Sequence, residues 1–172
     1  GTFSETGRYS GTATTDWSWG ALLMDLDNDG WKDIFVANGI YKDLLDRDFL
    51  DIYSNPAIVR SLMKTEESAI LRLIEMIPSV AVPNYSFRNN GDLTFTNLSS
   101  VWGLGIPSFS NGAAYGDLDN DGDLDLVINN VNMPMFIYRN ETDKLLPDNH
   151  YLKVILTGEK GNTSAIGAKV TV

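Results

Sequence analysis

The chain has 172 residues, a formal net charge of −10 and no cysteine. Without thiols there is no disulfide framework, no thiolate zinc site and no thiol nucleophile, and the acidic balance argues against a nucleic-acid partner, which needs a basic face. A hydrophobic content of 43% is that of a globular protein, and no stretch reaches the roughly 18 consecutive apolar residues of a membrane span.

Residues 1–15 are rich in Gly, Thr and Ser and read as loop. The start is polar and carries no signal-peptide pattern, so either the protein is cytosolic or the chain is a mature or excised piece, and an excised piece is the expectation. At 17–24 Trp17 and Trp19 alternate and an apolar run follows, which predicts a buried strand with both indoles mainly in the core. After an acidic loop, 34–37 predicts a second strand, closed by Asn38 and Gly39. A helical insertion is expected at about 42–80. Asn55 followed by Pro56 is a helix start, and Ile58, Val59, Leu62, Met63, Ala69, Ile70, Leu73, Ile74 and Ile77 recur at helical spacing, interrupted at Glu66 and Glu67 and ended by Pro78. That stripe predicts a face packed on a core. Strand signals return at 85–88, with a type I′ hairpin expected at Asn90 and Gly91 and a partner strand at 93–98. Ala113, Ala114 and Tyr115 feed a second acidic loop, which 126–128 leaves as a strand; 135–138 predicts another. A new strand is expected at 151–156, with its return at 168–172.

The acidic loops are one nine-residue device used twice: Asp-Leu-Asp-Asn-Asp-Gly-Trp-Lys-Asp at 25–33 and Asp-Leu-Asp-Asn-Asp-Gly-Asp-Leu-Asp at 117–125. Nine of the chain's 23 acidic residues lie in them. Carboxylates at positions 1, 3 and 5 turn inward, glycine at 6 permits the sharp turn, position 7 supplies a carbonyl and position 9 a last carboxylate. The expected ligands are Asp25, Asp27, Asp29, Trp31 and Asp33 in the first loop, and Asp117, Asp119, Asp121, Asp123 and Asp125 in the second. Carboxylates packed this closely repel one another unless a cation neutralises them, so two calcium sites are expected. Magnesium fits less well, since it prefers octahedral, water-rich sites. Position 12 is Val36 or Ile128, inside a strand, where an EF-hand requires a bidentate Glu before a helix; the ion is therefore expected to clamp strands rather than to open helices. His150 is the only histidine and has no partners for a His₂ zinc site or a local Ser-His-Asp triad. Asn84, Asn97, Asn140 and Asn162 match the glycosylation pattern by chance. Trp31 and Trp102 are the tryptophans expected to be exposed and available to stack on sugar rings.

The loops begin 92 residues apart, and about 54 remain once the helical stretch is removed, close to the roughly 40–50 residues of a four-stranded propeller blade. Each is followed by a strand and later by an aromatic strand ending in Arg-Asn, at Arg88 and Asn89 and again at Arg139 and Asn140. Asp-x-Asp-x-Asp-Gly-x-x-Asp leading into a strand resembles the FG-GAP/VCBS repeat, the blade unit of integrin-α-like β-propellers. The run from Phe87 to Phe95, then Trp102-Gly-Leu, then 110–125, is similar to VCBS proteins that end in an ASPIC/UnbV domain. Residues 149–156, with Asn162 and Ile166-Gly-Ala, resemble the opening of that terminal domain.

The resemblance implies a mostly β fold of partial propeller blades with a helical insertion, with repeats over 1–146 and a truncated ASPIC/UnbV-like β domain from 147 to 172. It also implies an exported bacterial protein at the cell surface, outside the cell or in the periplasm. The expected function is a non-enzymatic binding or adhesion module, stiffened by calcium, for an unidentified protein or glycan ligand. The alternative is a glycan-processing enzyme or an accessory carbohydrate-binding component of a polysaccharide-utilisation system. A cleft with two carboxylates outside the loops, about 5–10 Å apart, would mark the enzyme.

Overall fold

A computed structural model describes residues 2–62 and 68–171. After a single helical turn, α1 (Gly7–Ser10), the chain forms β1 (Ser18–Met24) and β2 (Asp33–Asn38), joined by the first acidic loop. Three helices follow, α2 (Arg47–Tyr53), α3 (Pro56–Leu62) and α4 (Ser68–Met76), and then β3 (Tyr85–Asn89) and β4 (Phe95–Asn97). The second loop joins β5 (Ser110–Gly116) to β6 (Asp125–Asn130), before β7 (Phe136–Tyr138) and a last short helix, α5 (Thr142–Leu145).

The strands make two antiparallel sheets, one of four strands in the order β1-β2-β3-β4 and one of three in the order β5-β6-β7. The expected propeller-blade architecture is not what forms. Both sheets are small and open, interspersed with five helices, and neither is closed or curled into a blade arrangement. The physical reason is that a ring needs several radial sheets, whereas here each sheet finds only the other: β5 packs on β1 and β2.

The two sheets share one core. Met24, Leu26, Phe35, Ala37, Leu104, Leu126 and Ile128 form it, and Trp102, Phe136 and Tyr138 pack on it. Corresponding strands contribute alike. Met24 pairs with Asp33 as Gly116 pairs with Asp125, so each loop closes a ladder of the same register. Both ladders also slip by one residue at their far end, at Ser18/Gly20 and at Ser110/Gly112. That slip corrects the expectation for the tryptophans. β1 is an edge strand, and Trp19 is 56% exposed while Trp17 is half-buried. The Trp19 indole Nε1 donates to the Gly39 carbonyl at 2.6 Å instead of entering the core.

A buried polar ladder ties the sheets at the end away from the loops. The Asn38 N–H donates to Asn84 Oδ1 (2.9 Å), the Asn84 amide donates to Ser110 Oγ (3.0 Å), and Ser110 Oγ donates to Asn130 Oδ1 (2.7 Å). All four residues are buried. A satisfied buried network of this kind fixes one arrangement of its members, because any slip strands a polar group in the interior.

The helix start at Asn55 forms as expected, its side chain accepting the N–H groups of Ala57 and Ile58. The apolar stripe does not pack on the core: of its members whose burial is described, Ile58 and Ile74 are exposed, Val59 and Leu73 are half-buried, and Ile77 is buried. α3 packs on α2 and α4 rather than on a sheet. Met63, Glu66 and Glu67 lie outside the described residues. The insertion closes at its base, where the Asp43 N–H donates to the Pro78 carbonyl and Lys42 Nζ to the Ile77 carbonyl, both at 3.0 Å.

The expected two-residue hairpin at Asn90 is a longer turn. Gly91 and Leu93, not Asn90, take positive φ, and the Asn90 N–H reaches the Thr94 carbonyl at 3.0 Å. The expected ASPIC/UnbV-like strands are likewise absent among the described residues. From 147 to 171 there are turns but no ladder, and Leu152, Val154 and Ile155 are exposed. Val172, the end of the expected return strand, lies outside the described residues. A strand without a partner has nothing to satisfy its backbone groups but water.

Candidate metal centre

The two loops have the same backbone. Position 4 is left-handed in both (Asn28 at φ 55°, Asn120 at φ 63°), and so is the glycine at position 6 (Gly30 at 91°, Gly122 at 99°). Asparagine is among the few non-glycine residues that tolerate this region, which explains why it stands at position 4 twice. At Gly122 the Tyr151 ring also lies where a Cβ would sit, so a side chain there would have to push that ring aside.

This geometry gathers the carboxylates. One oxygen each from Asp25, Asp27 and Asp29 lie within 4.8 Å of one another, as do those of Asp117, Asp119 and Asp121. The position-9 residues stand outside these groups. Asp33 is wholly buried and accepts the Leu26 N–H and the Asn89 N–H, both at 2.9 Å. Asp125 accepts the Leu118 N–H at 2.9 Å and the Asn140 N–H at 2.8 Å. Each of these oxygens keeps a second lone pair. The repeated Arg-Asn therefore has a physical role. Its asparagine N–H closes the loop onto the position-9 carboxylate, and its side chain holds a loop carbonyl, Lys32 for Asn89 and Leu26 for Asn140.

Burial shows in the titration of the first loop. Desolvation, and then the charge of Asp29, push the Asp27 carboxyl above its usual range. Desolvation raises Asp33 to about 6 against the lowering pull of its two backbone donors. In the second loop the Asp123 N–H and then the Arg139 guanidinium hold Asp121 below the usual range.

The donor set fits a hard divalent cation. Asp27 is only 6% exposed, yet its Oδ1 has no hydrogen-bond partner among the described residues; Asp25 Oδ1 and Asp117 Oδ1 are buried and unpartnered too. A buried carboxylate oxygen without a donor carries a full desolvation cost, and an oxygen-seeking cation removes it.

Position 7 differs between the loops. Trp31 is 54% exposed, with its ring against the turn glycine Gly91. Asp123 is wholly buried and its carboxylate bridges the halves: Oδ1 accepts from Asn28 Nδ2 at 2.7 Å, and Oδ2 from the Asp143 N–H at 2.8 Å. Position 7 was expected to serve only through its carbonyl, so this bridge, and Asn28 with it, was missed. Asp143 joins Asp121 and Asp123 in a third acidic group. Nothing in its local sequence marks it, because α5 brings it there across the fold.

The chain thus consists of two strand–acidic loop–strand units with matching loop conformations and a shared core. Residues 79–128 match the FG-GAP-like repeat family. The matched span takes in β3, β4, β5, the second acidic loop and the start of β6, and ends before 147–171. Comparison with curated proteins gives no match. No described helix is long and apolar enough to cross a membrane.

Proposed function

We propose that each acidic loop holds one calcium ion, and that the ions stiffen a non-enzymatic binding module exposed outside the cell or in the periplasm. The observation that carries this reading is Asp27 Oδ1, a buried and unpartnered carboxylate oxygen beside Asp25 and Asp29. Asp25, Asp27, Asp29 and the Trp31 carbonyl would hold the first ion, with Asp33 fastening the loop behind them. Asp117, Asp119, Asp121 and the Asp123 carbonyl would hold the second, in front of Asp125. Bound calcium supplies positive charge and nothing else. The chain's part is to close two strand connections that its own carboxylates would otherwise force apart.

Binding rather than hydrolysis is supported by a cleft of about 490 Å³ beside the first loop, walled by Leu26, Trp102, Leu124 and Tyr138. Its two acidic residues are Asp27, which belongs to the loop, and Glu141, which Lys144 engages at 2.8 Å. Trp31, which is exposed, and Trp102, which is half-buried against the core rather than exposed as expected but lines the cleft, are the side chains we assign to a protein or glycan partner. The test is calorimetric unfolding in calcium and in excess chelator. Calcium should raise the melting temperature of the wild type, and Asp27→Asn should abolish most of the gain. An identical melting curve in calcium and in chelator would remove the ion from the account.

A further inference from the structure

Resting on the calcium reading above, we propose that Arg139 sets the order in which the loops fill: the first loop binds first and tightly, the second later and more weakly.

In the second loop a guanidinium is already in place. Arg139 Nε lies 2.8 Å from Asp119 Oδ2, and its Nη2 lies 3.2 Å from Asp121 Oδ2. Two of the three clustered carboxylates are therefore held in the fork of one arginine. Lys153 adds a second positive charge, 3.9 Å from the third, Asp117. In the first loop, among the described residues, no basic side chain pairs with Asp25, Asp27 or Asp29. Arg88, the repeat counterpart of Arg139, acts on Asp27 only through space, and it is the weakest of the influences on that carboxyl.

Solvent accentuates the contrast. Asp27, at position 3 of the first loop, is buried, whereas Asp119, at position 3 of the second, is exposed; position 5 runs the other way, Asp29 being exposed and Asp121 half-buried, so the contrast rests on the deepest carboxylate, Asp27. Attraction between a dication and carboxylates grows as water is excluded, and repulsion from a guanidinium one ligand away opposes it. One extra positive charge at that range weakens dication affinity by about tenfold or more. Arg139 is thus an affinity-determining residue of the second loop that need not touch the ion.

The test is titration calorimetry with calcium chloride on the chain freed of metal by chelator, paired with terbium luminescence excited through tryptophan. Trp31 stands within the first loop, so the part of the luminescence lost in Trp31→Phe reports that loop. The wild type should take up two ions in resolved steps, with that part of the luminescence rising in the tighter one. Asp27→Asn should delete the tight step and Asp119→Asn the weak one. Arg139→Gln should strengthen the weak step about tenfold and leave the tight step in place. Arg139→Lys, which keeps the charge and loses the fork, should fall between. Strengthening is what a merely structural arginine would not produce, since its loss would loosen the loop and weaken binding. Two equal steps, a tight step that maps to the second loop, or an Arg139→Gln variant with an unchanged or weaker second step would overturn the order alone. No calcium uptake by the wild type would overturn the calcium reading and the order together.

Discussion

Loops 25–33 and 117–125 have left-handed asparagines and glycines at the same positions, and each folds its ninth residue back onto two backbone N–H groups. Around that common frame the charges are handled differently. The second loop has Arg139 and Lys153 among its carboxylates; both loops leave the Oδ1 of position 1 without a donor, and the first adds the buried Asp27 Oδ1 with no basic side chain paired to its cluster among the described residues. The lesson is that conformation and charge balance are separable in this device. The turn residues and the position-9 clamp build the loop, and whether an ion is required to keep it closed depends on what the following strand places beside it.

The largest expected effect breaks the common frame. Asp33→Ala and Asp125→Ala each strand two backbone donors, and each should cost about 3–5 kcal/mol in urea unfolding. If the frames are equivalent the two losses should match; a loss confined to one would show that the clamp is not shared. Next comes the difference in charge. At a calcium concentration about 100-fold above its dissociation constant, an ion in the first loop should add about 2.7 kcal/mol. Chelator should remove that gain from the wild type and from Asp119→Asn, whereas in Asp27→Asn it should remove only the smaller gain of the weaker second loop. Smaller again is the bridge between the loops. Asn28→Ala deprives Asp123 of one of its donors and should cost about 1–3 kcal/mol. A double-mutant cycle with Asp123→Asn should return most of that as coupling energy.

The smallest effect is on pH dependence. Asp33, raised to about 6, and Asp27, raised as well, bind protons more tightly folded than unfolded. Their contribution is fully present below the ordinary carboxylate range near 4 and is lost as pH rises through each folded-state value, which for Asp33 is about 6. Asp121 and Glu141 are held low by hydrogen bonds and by Arg139 and Lys144, and act oppositely, losing their contribution as pH falls below that range. In chelator the chain should therefore melt higher at about pH 5 than at about pH 7.5. Calcium, which favours the ionised carboxylates, should reverse the order. A melting temperature in chelator that rises over that interval would show that Asp33 is ionised in the folded chain well below 6.

Local signals were legible and distant ones were not. The alternating aspartates gave both acidic clusters, and Asn55 before Pro56 gave a helix start, because each depends on residues within one turn of chain. The exposure of Trp19 was hidden because edge position in a sheet is decided by pairing, not by alternation. The helical stripe was read as core-facing, since periodicity says that a face is apolar without saying that a sheet is free to receive it. Propeller blades were implied by the resemblance to the FG-GAP/VCBS repeat, with the repeat length in accord, but closure depends on how many sheets are available to pack, and here two share one core. The Asp123 bridge depends on Asn28, 95 residues away, and no spacing rule reaches that far.

The closed base of the helical insertion has a practical consequence. Asp43 meets Pro78, and Lys42 meets Ile77, within hydrogen-bonding distance, so the chain leaves the sheets and returns to them through a single doorway. Closing a loop costs little more when it is long than when it is short, so what stands beyond the doorway is interchangeable. Replacing residues 44–76 by a tight turn, or by a fluorescent reporter domain, should leave both acidic loops standing.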